Sequence, residues 1–236
     1  MEIRIRQDSM EPIQIPIGAV LLDCDLDFPP KATGMVVFAH GSGSSRHSPR
    51  NRYVARELRA AGLGVLLMDL LTLEEDDPAV QLGGPCFDVG LLASRLVGAT
   101  DWLGSWPATR VLPVGYFGAS TGASAALLAA TLRPGRTAAI VSRGGRPDLA
   151  EAALAHVSAP TLLIVGENDV PILEHNRRAY ESLRCEKDLQ VVPGAGHMFE
   201  EPDALQQVAH LARDWFSRHL KPDAIPSRSR EGQESE

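Results

Sequence analysis

The stretch VLPVGYFGASTGASAALLAATL, residues 111–132, holds the reading from which the fold follows. The compact apolar run over 111–117 reads as a strand, and the alanine-rich run over 120–132 reads as a helix. At their junction stands Gly118-Ala119-Ser120-Thr121-Gly122, a G-x-S-x-G pattern. A serine at the tip of so sharp a strand-to-helix turn is forced into strained backbone, and the residues two before and two after it come close together. Gly118 and Gly122 leave room where a side chain would clash, and Ala119 and Ala123 are small as well. The turn lifts the Ser120 hydroxyl out of the sheet and aims the free N–H groups of the helix start at the same spot. Taken alone, the pentapeptide fits equally well a close-packed turn whose serine only caps a helix.

The same alternation extends in both directions. Upstream, MVVFA at 35–39 is continuously apolar, as expected of a strand buried on both faces. Ser48-Pro49 supplies an N-cap and a first-turn proline for a helix reaching about Ala61 and closed by Gly62. A buried strand follows at 63–68. Over 87–103, Val89, Leu92, Leu96, Ala99 and Leu103 recur at helical spacing. Downstream, strands are expected at 137–141, 161–165 and 189–192, and helices at 148–155, 172–183 and 204–219. The first 30 residues read as short strands (Ile3-Arg4-Ile5-Arg6, Ile13-Gln14-Ile15-Pro16 and 19–26) punctuated by Pro12, Pro16 and Gly18, hence antiparallel hairpins at a sheet edge. Strands alternating with helices imply right-handed crossovers and an α/β architecture: a mainly parallel sheet of about eight strands with helices on both faces. The pattern is that of one domain over 1–220, followed by a proline-, serine- and charge-rich tail over 221–236 expected to be disordered.

Composition narrows the function. The 236 residues are 44% hydrophobic and 22% charged, an ordinary globular balance, and the net charge of −7 argues against a nucleic-acid partner. Cys24, Cys86 and Cys185 form neither a CxxC pair nor a disulfide framework. No secretory signal and no apolar stretch long enough to span a membrane is read, so no membrane partner is expected and a cytoplasmic location is. No feature of the sequence specifies an oligomeric state.

A serine hydroxyl needs a base, and the base needs an orienting acid. Asp169, in Gly166-Glu167-Asn168-Asp169, follows the strand at 161–165, and His197, in Gly194-Ala195-Gly196-His197, follows the last strand. Both therefore fall at C-terminal strand ends, where open α/β sheets build their sites, and in the chain order serine, acid, histidine. Glu167 is the rival acid on the same loop. His175, His210 and His219 lie on helices and read as surface groups, His156 sits at a helix end, and His40 reads as a structural loop residue. With no HExxH and no His-x-His pair, no metal is expected, and the chemistry requires no cofactor. An oxyanion needs two donors: the backbone N–H of Thr121 is one, and the loop His40-Gly41-Ser42-Gly43-Ser44-Ser45 supplies the other, from Ser42 or, second, Gly43. Arg143 and Arg146, just beyond the strand at 137–141, are candidates for a substrate carboxylate or phosphate; the alternative is a solvated pair balanced by Asp148 and Glu151.

With these pieces in place, the chain resembles the dienelactone hydrolase-like branch of the α/β-hydrolase superfamily. The likeness runs from about Ile13 to Leu220 through HGSGSSRHSPRN (40–51), DLLTLEE (69–75), FDVGLLASRL (87–96), the G-x-S-x-G turn, SRGGRPDL (142–149), GENDVPI (166–172) and GAGHMFEEP (194–202). It is similar in particular to the hydrolase module that some bacteria fuse to a phosphoribosyltransferase domain, although no such segment is read here. The resemblance implies an α/β-hydrolase fold without a large lid and an open cleft for a small-molecule ester with a short acyl group. One departure stands out: dienelactone hydrolases proper carry a cysteine as nucleophile, where this chain has Ser120. General ester hydrolysis through an acyl-enzyme is thus the expected activity, with lactone hydrolysis or acyl transfer on the same triad as alternatives. Two other classes compete. A nucleotide-dependent oxidoreductase is disfavoured because Gly115, Gly118 and Gly122 do not space as G-x-G-x-x-G. A non-catalytic binding protein on the same fold is disfavoured by the complete triad.

Overall fold

The computed structural model describes residues 10–77 and 88–221. The expected strand at 3–6, the tail beyond 221 and the 78–87 part of the connection relevant to a lid lie outside the described residues. The described residues form one sheet of β1 (Glu11–Ile17), β2 (Val20–Asp27), β3 (Met35–Ala39), β4 (Gly64–Met68), β5 (Val114–Ala119), β6 (Thr137–Arg143), β7 (Thr161–Gly166) and β8 (Lys187–Val192). Its strand order is β1-β2-β4-β3-β5-β6-β7-β8. From β4 through β8 all pairings are parallel, whereas β1–β2 and β2–β4 are antiparallel. The mainly parallel sheet with an antiparallel N-terminal pair is the architecture that the strand–helix alternation predicts.

The continuous apolar runs are explained by helices on both faces. Met35, Val37 and Ala39 of β3 join one core cluster, and Val36 and Phe38 join the other. The first cluster is closed by α2 (Val89–Ser105), α3 (Thr121–Leu132), α4 (Glu151–Leu154) and α5 (Val170–Ser182). The second is closed by α1 (Pro49–Ala60) and α6 (Ala204–His219). Helix α1 starts as its sequence implies: Ser48 Oγ accepts from the Asn51 N–H at 3.4 Å, Pro49 sits in the first turn, and Val54, Ala55 and Leu58 face inward. Each large aliphatic side chain so buried is worth about 1.5–3 kcal/mol. Among the described residues no helix is long and apolar enough to cross a membrane.

Several boundaries differ from expectation, the starts of β8 at Lys187 and of α5 at Val170 by two residues each, and three further departures have a local cause. Strand β5 begins at Val114, not 111, because the Leu112 N–H is taken by the Thr109 carbonyl in a turn and Pro113 has no N–H to give. Strand β6 continues two residues past 141, since Arg143 still pairs with Ala119 on one side and Ile164 on the other. Arg143 is therefore a strand residue and not a loop residue. The segment expected as one helix over 148–155 is a 3-10 turn, Pro147–Ala150, followed by α4.

Candidate active site

Ser120 stands alone at the corner between β5 and α3, with φ of 50° and ψ of −121°. Such a backbone costs on the order of 1–3 kcal/mol and persists only where its surroundings over-determine it. They do here. The Ser120 N–H donates to the Arg143 carbonyl at 3.1 Å, and the Ser120 carbonyl accepts from Ala123 at 3.1 Å and Arg146 at 3.2 Å. The two glycines are needed, but for partly different reasons. A Cβ on Gly118 would lie 2.7 Å from the Ala123 nitrogen and 2.8 Å from the Gly122 oxygen. One on Gly122 would instead meet the end of β3, 2.5 Å from the His40 oxygen. The motif thus seats α3 on β3 as well as sharpening the turn.

Asp169 and His197 meet at the same edge. The imidazole Nδ1 and Asp169 Oδ2 are 2.6 Å apart, so an Nδ1–H donates to the carboxylate and leaves Nε2 free to act as a base. The two loops that carry them are joined along their backbones. Glu167 N–H donates to Val192 O at 3.0 Å and Asn168 N–H to Ala195 O at 2.9 Å. The Asn168 amide donates to Gly194 O at 2.7 Å, and Glu167 Oε2 accepts from the Gly194 N–H at 2.8 Å. The rival acid therefore holds the histidine loop, and Asp169 is the carboxylate that touches the ring. Gly144, at φ 52°, lies against the imidazole: a Cβ there would be 3.4 Å from Nδ1. Since the Arg143 carbonyl accepts from Ser120 and Gly144 abuts His197, Ser120 and the imidazole flank one dipeptide at the end of β6. Ser120, Asp169 and His197 are all half-buried, open to a solute.

The loop after β3, expected to supply a donor, reaches Ser120. Ser42 Oγ donates to Thr121 Oγ1 at 3.1 Å, which brings the two expected oxyanion residues together, and Gly43 takes φ of 68° in the same loop. Gly41 packs on Ser120 so closely that a Cβ would sit 3.0 Å from the serine Cβ. The loop is tied down by Arg46, whose N–H donates to Asp69 Oδ1 at 2.6 Å and whose guanidinium pairs with Asp69 and Asp25. His40 is structural: its Nδ1 lies 2.9 Å from Gly41 O, and its Nε2 accepts from the Leu70 N–H at 3.1 Å. His219 departs from the surface role expected of it, packing on Trp215 with ring centroids 4.6 Å apart and a side chain 11% exposed.

The two arginines at and just beyond the end of β6 have different fates. Arg146 forks onto Asp148, with Nε 2.9 Å from Oδ1 and Nη2 2.7 Å from Oδ2, and this bonding holds the Asp148 carboxyl below its ordinary range. Arg143 is only 8% exposed, and its Nε and Nη1 have no hydrogen-bond partner among the described residues. Its guanidinium lies over the Phe199 ring, 5.9 Å from the centroid. Burial, and then the charge of Arg50, push its pKa down to about 10. Two contributors carry no pattern in the sequence. Phe199 is buried at φ 55° just past His197, and the fully buried Asn176 donates to Gly145 O at 2.9 Å. Among the described residues no group of three or more His, Cys, Asp or Glu is placed to hold a metal ion.

The model of the dienelactone hydrolase family matches residues 26–221. A solved structure of a dienelactone hydrolase from Anabaena variabilis ATCC 29413 is 56% identical, with a TM-score of 0.89, covering 92% of this chain and 100% of that one. A Mycobacterium tuberculosis protein (strain ATCC 25618 / H37Rv) named as a phosphoribosyl transferase is 56% identical over 210 residues, which are 89% of this chain. The chain spans only 46% of that relative's length. Est1E from Butyrivibrio proteoclasticus, 13% identical over 88% of this chain and 98% of its own with a TM-score of 0.74, shares the fold.

Proposed function

Because this chain belongs to the dienelactone hydrolase family and has the α/β-hydrolase fold, we propose that it is a serine hydrolase acting on small carboxylic esters through an acyl-enzyme. The observation that carries the reading is the strained Ser120 corner at the same sheet edge as the 2.6 Å Asp169–His197 pair. His197 Nε2 takes the Ser120 hydroxyl proton as Oγ bonds to the acyl carbon. The negative charge then on the acyl oxygen is met by the N–H groups of Thr121 and Ser42. Collapse expels the alcohol, which leaves with the proton from His197. Water, deprotonated by His197, attacks the acyl-enzyme, and the acid departs as Ser120 regains its proton. Asp169 fixes the imidazole tautomer and stabilises its cation throughout.

Lactone hydrolysis is the second reading, favoured by the description of the matching family and by the Anabaena relative. The chemistry is the same, except that the alcohol freed in the first step remains tethered to the acyl group. The free thiols of Cys24 and Cys185, the former with its pKa raised by burial, suit a cytoplasmic location. A p-nitrophenyl ester series with a lactone arm, run with Ser120→Ala and a fluorophosphonate probe, tests the proposal. Activity should fall by several orders of magnitude in the variant, and the probe should label wild type only. A folded Ser120→Ala protein with near-native turnover would end the proposal.

A further inference from the structure

Strands β3 and β4 run side by side, with Ala39 opposite Met68, so the chain leaves the sheet at two adjacent points. These two exits are stapled together twice. Leu70 donates its N–H to His40 Nε2 at 3.1 Å, so the ring proton sits on Nδ1, which donates to Gly41 O at 2.9 Å. At the other end of the loop the Arg46 N–H donates to Asp69 Oδ1 at 2.6 Å, and the Arg46 guanidinium donates to Asp69 Oδ2. Two consecutive residues at the exit of β4 thus hold both ends of the segment that carries Ser42. Asp69 is itself fixed, because its N–H donates to Asp23 O of β2 at 2.9 Å. Both side chains of the Asp69–Arg46 pair are 19% exposed, so solvent screens them less than it would a pair on the open surface.

Between the staples stand Gly41-Ser42-Gly43-Ser44-Ser45, a run with no apolar side chain to bury. Its backbone has much freedom to lose and little of its own to hold it. Within it the Ser44 N–H donates to Gly41 O at 3.2 Å, and Ser42 Oγ donates to Thr121 Oγ1 at 3.1 Å. Those two bonds bend the run and touch it to α3, and the pinned ends supply the rest of its order. We propose that the Asp69–Arg46 pair positions the Ser42 N–H as an oxyanion donor, acting on the reaction without touching substrate. This rests on the serine-hydrolase reading and adds two positioning residues to it.

The test is Asp69→Ala, assayed with p-nitrophenyl butyrate. Loss of the far staple should displace the donor and lower kcat by about 10²-fold, with KM within about three-fold of wild type, since the donor bond is completed in the transition state. n-Butylboronic acid, whose Ser120 adduct presents an oxygen where the acyl oxygen stands, should lose affinity by about the same factor. Asp69→Asn keeps an acceptor for the Arg46 N–H and should return kcat to within about ten-fold of wild type. Asp27→Ala breaks a comparable pair at the far end of α1, where Arg59 Nε donates to Asp27 Oδ1 at 2.7 Å; it should lower stability and spare kcat. A folded Asp69→Ala protein within about three-fold of wild-type kcat overturns the proposal, as does one whose kcat falls while boronate affinity holds. An equal kcat loss in Asp27→Ala also overturns it, by making the effect a general loosening. Where Asp69→Ala does not fold, Arg46→Ala decides, since it removes the guanidinium and keeps the backbone bond. Its kcat and boronate affinity should both fall about ten-fold, and no change in either overturns the pairing. Wild type that neither labels with fluorophosphonate nor binds the boronate brings down the serine reading itself.

Discussion

Gly166→Ala offers a way to displace the proposed base without altering Ser120, Asp169 or His197. Gly166 ends β7, and a Cβ there would lie 2.6 Å from the Gly196 oxygen, with the Ala195 oxygen nearer still. Ordinary contact begins near 3.4 Å, and both obstacles are backbone, so the histidine loop has to retreat by about 0.8 Å or more. The retreating peptide is the one that carries His197. A misplacement of about 1 Å at a reacting group costs roughly 10²-fold, so kcat should fall by about two orders of magnitude. Overpacking of this kind costs about 1–3 kcal/mol of stability, against the 5–15 kcal/mol typical of a domain. The variant should therefore stay folded. Turnover of a p-nitrophenyl ester, measured beside thermal denaturation, separates a displaced site from a lost fold. A folded Gly166→Ala protein within about three-fold of wild-type kcat would refute the claim that this contact sets the position of the base.

Asp169→Asn should lower kcat by about 10⁴, as expected when the imidazole tautomer is lost, whereas Glu167→Gln should cost far less; steady-state kinetics of the two variants decides between the carboxylates. Arg143→Met should raise stability in urea by about 1–3 kcal/mol, since the folded state disfavours the charge and a well-packed apolar chain of similar volume does not. Asp148 has its folded pKa lowered by its bond to Arg146, so its contribution is present above the ordinary carboxyl range and is lost as pH falls through the folded value. Urea melts of wild type and Asp148→Asn should accordingly differ by under about 1 kcal/mol at neutral pH and converge in acid.

What could be read from the sequence depended on whether the signal was local. The run at 35–39 announces a strand covered on both faces, and Ser48-Pro49 announces a helix start, because neighbouring residues set both. The serine turn and the two loops bearing Asp169 and His197 were legible because each closes a recognisable strand. The placement of β4 between β2 and β3 was not, since alternation gives elements but not their order across the sheet. The extension of β6 to Arg143 escaped notice because Ser142 and Arg143 are not apolar; pairing with β5 and β7 holds them in the strand. The duty of Glu167 as a clamp, and the close seating of Gly41 on Ser120, arise from residues far apart in the chain that meet only when folded.

The position of β8 at the margin of the sheet has a consequence of its own. It pairs with β7 alone, and its successor loop bears the histidine. Marginal strands peel away at a smaller free-energy cost than interior ones. Ser120, at the corner that closes β5 in the middle of the sheet, stays in place through such an excursion while His197 drifts off. Mild heat or denaturant should therefore silence the hydrolase before the interior melts, making catalysis an early reporter of fraying at one rim of the molecule.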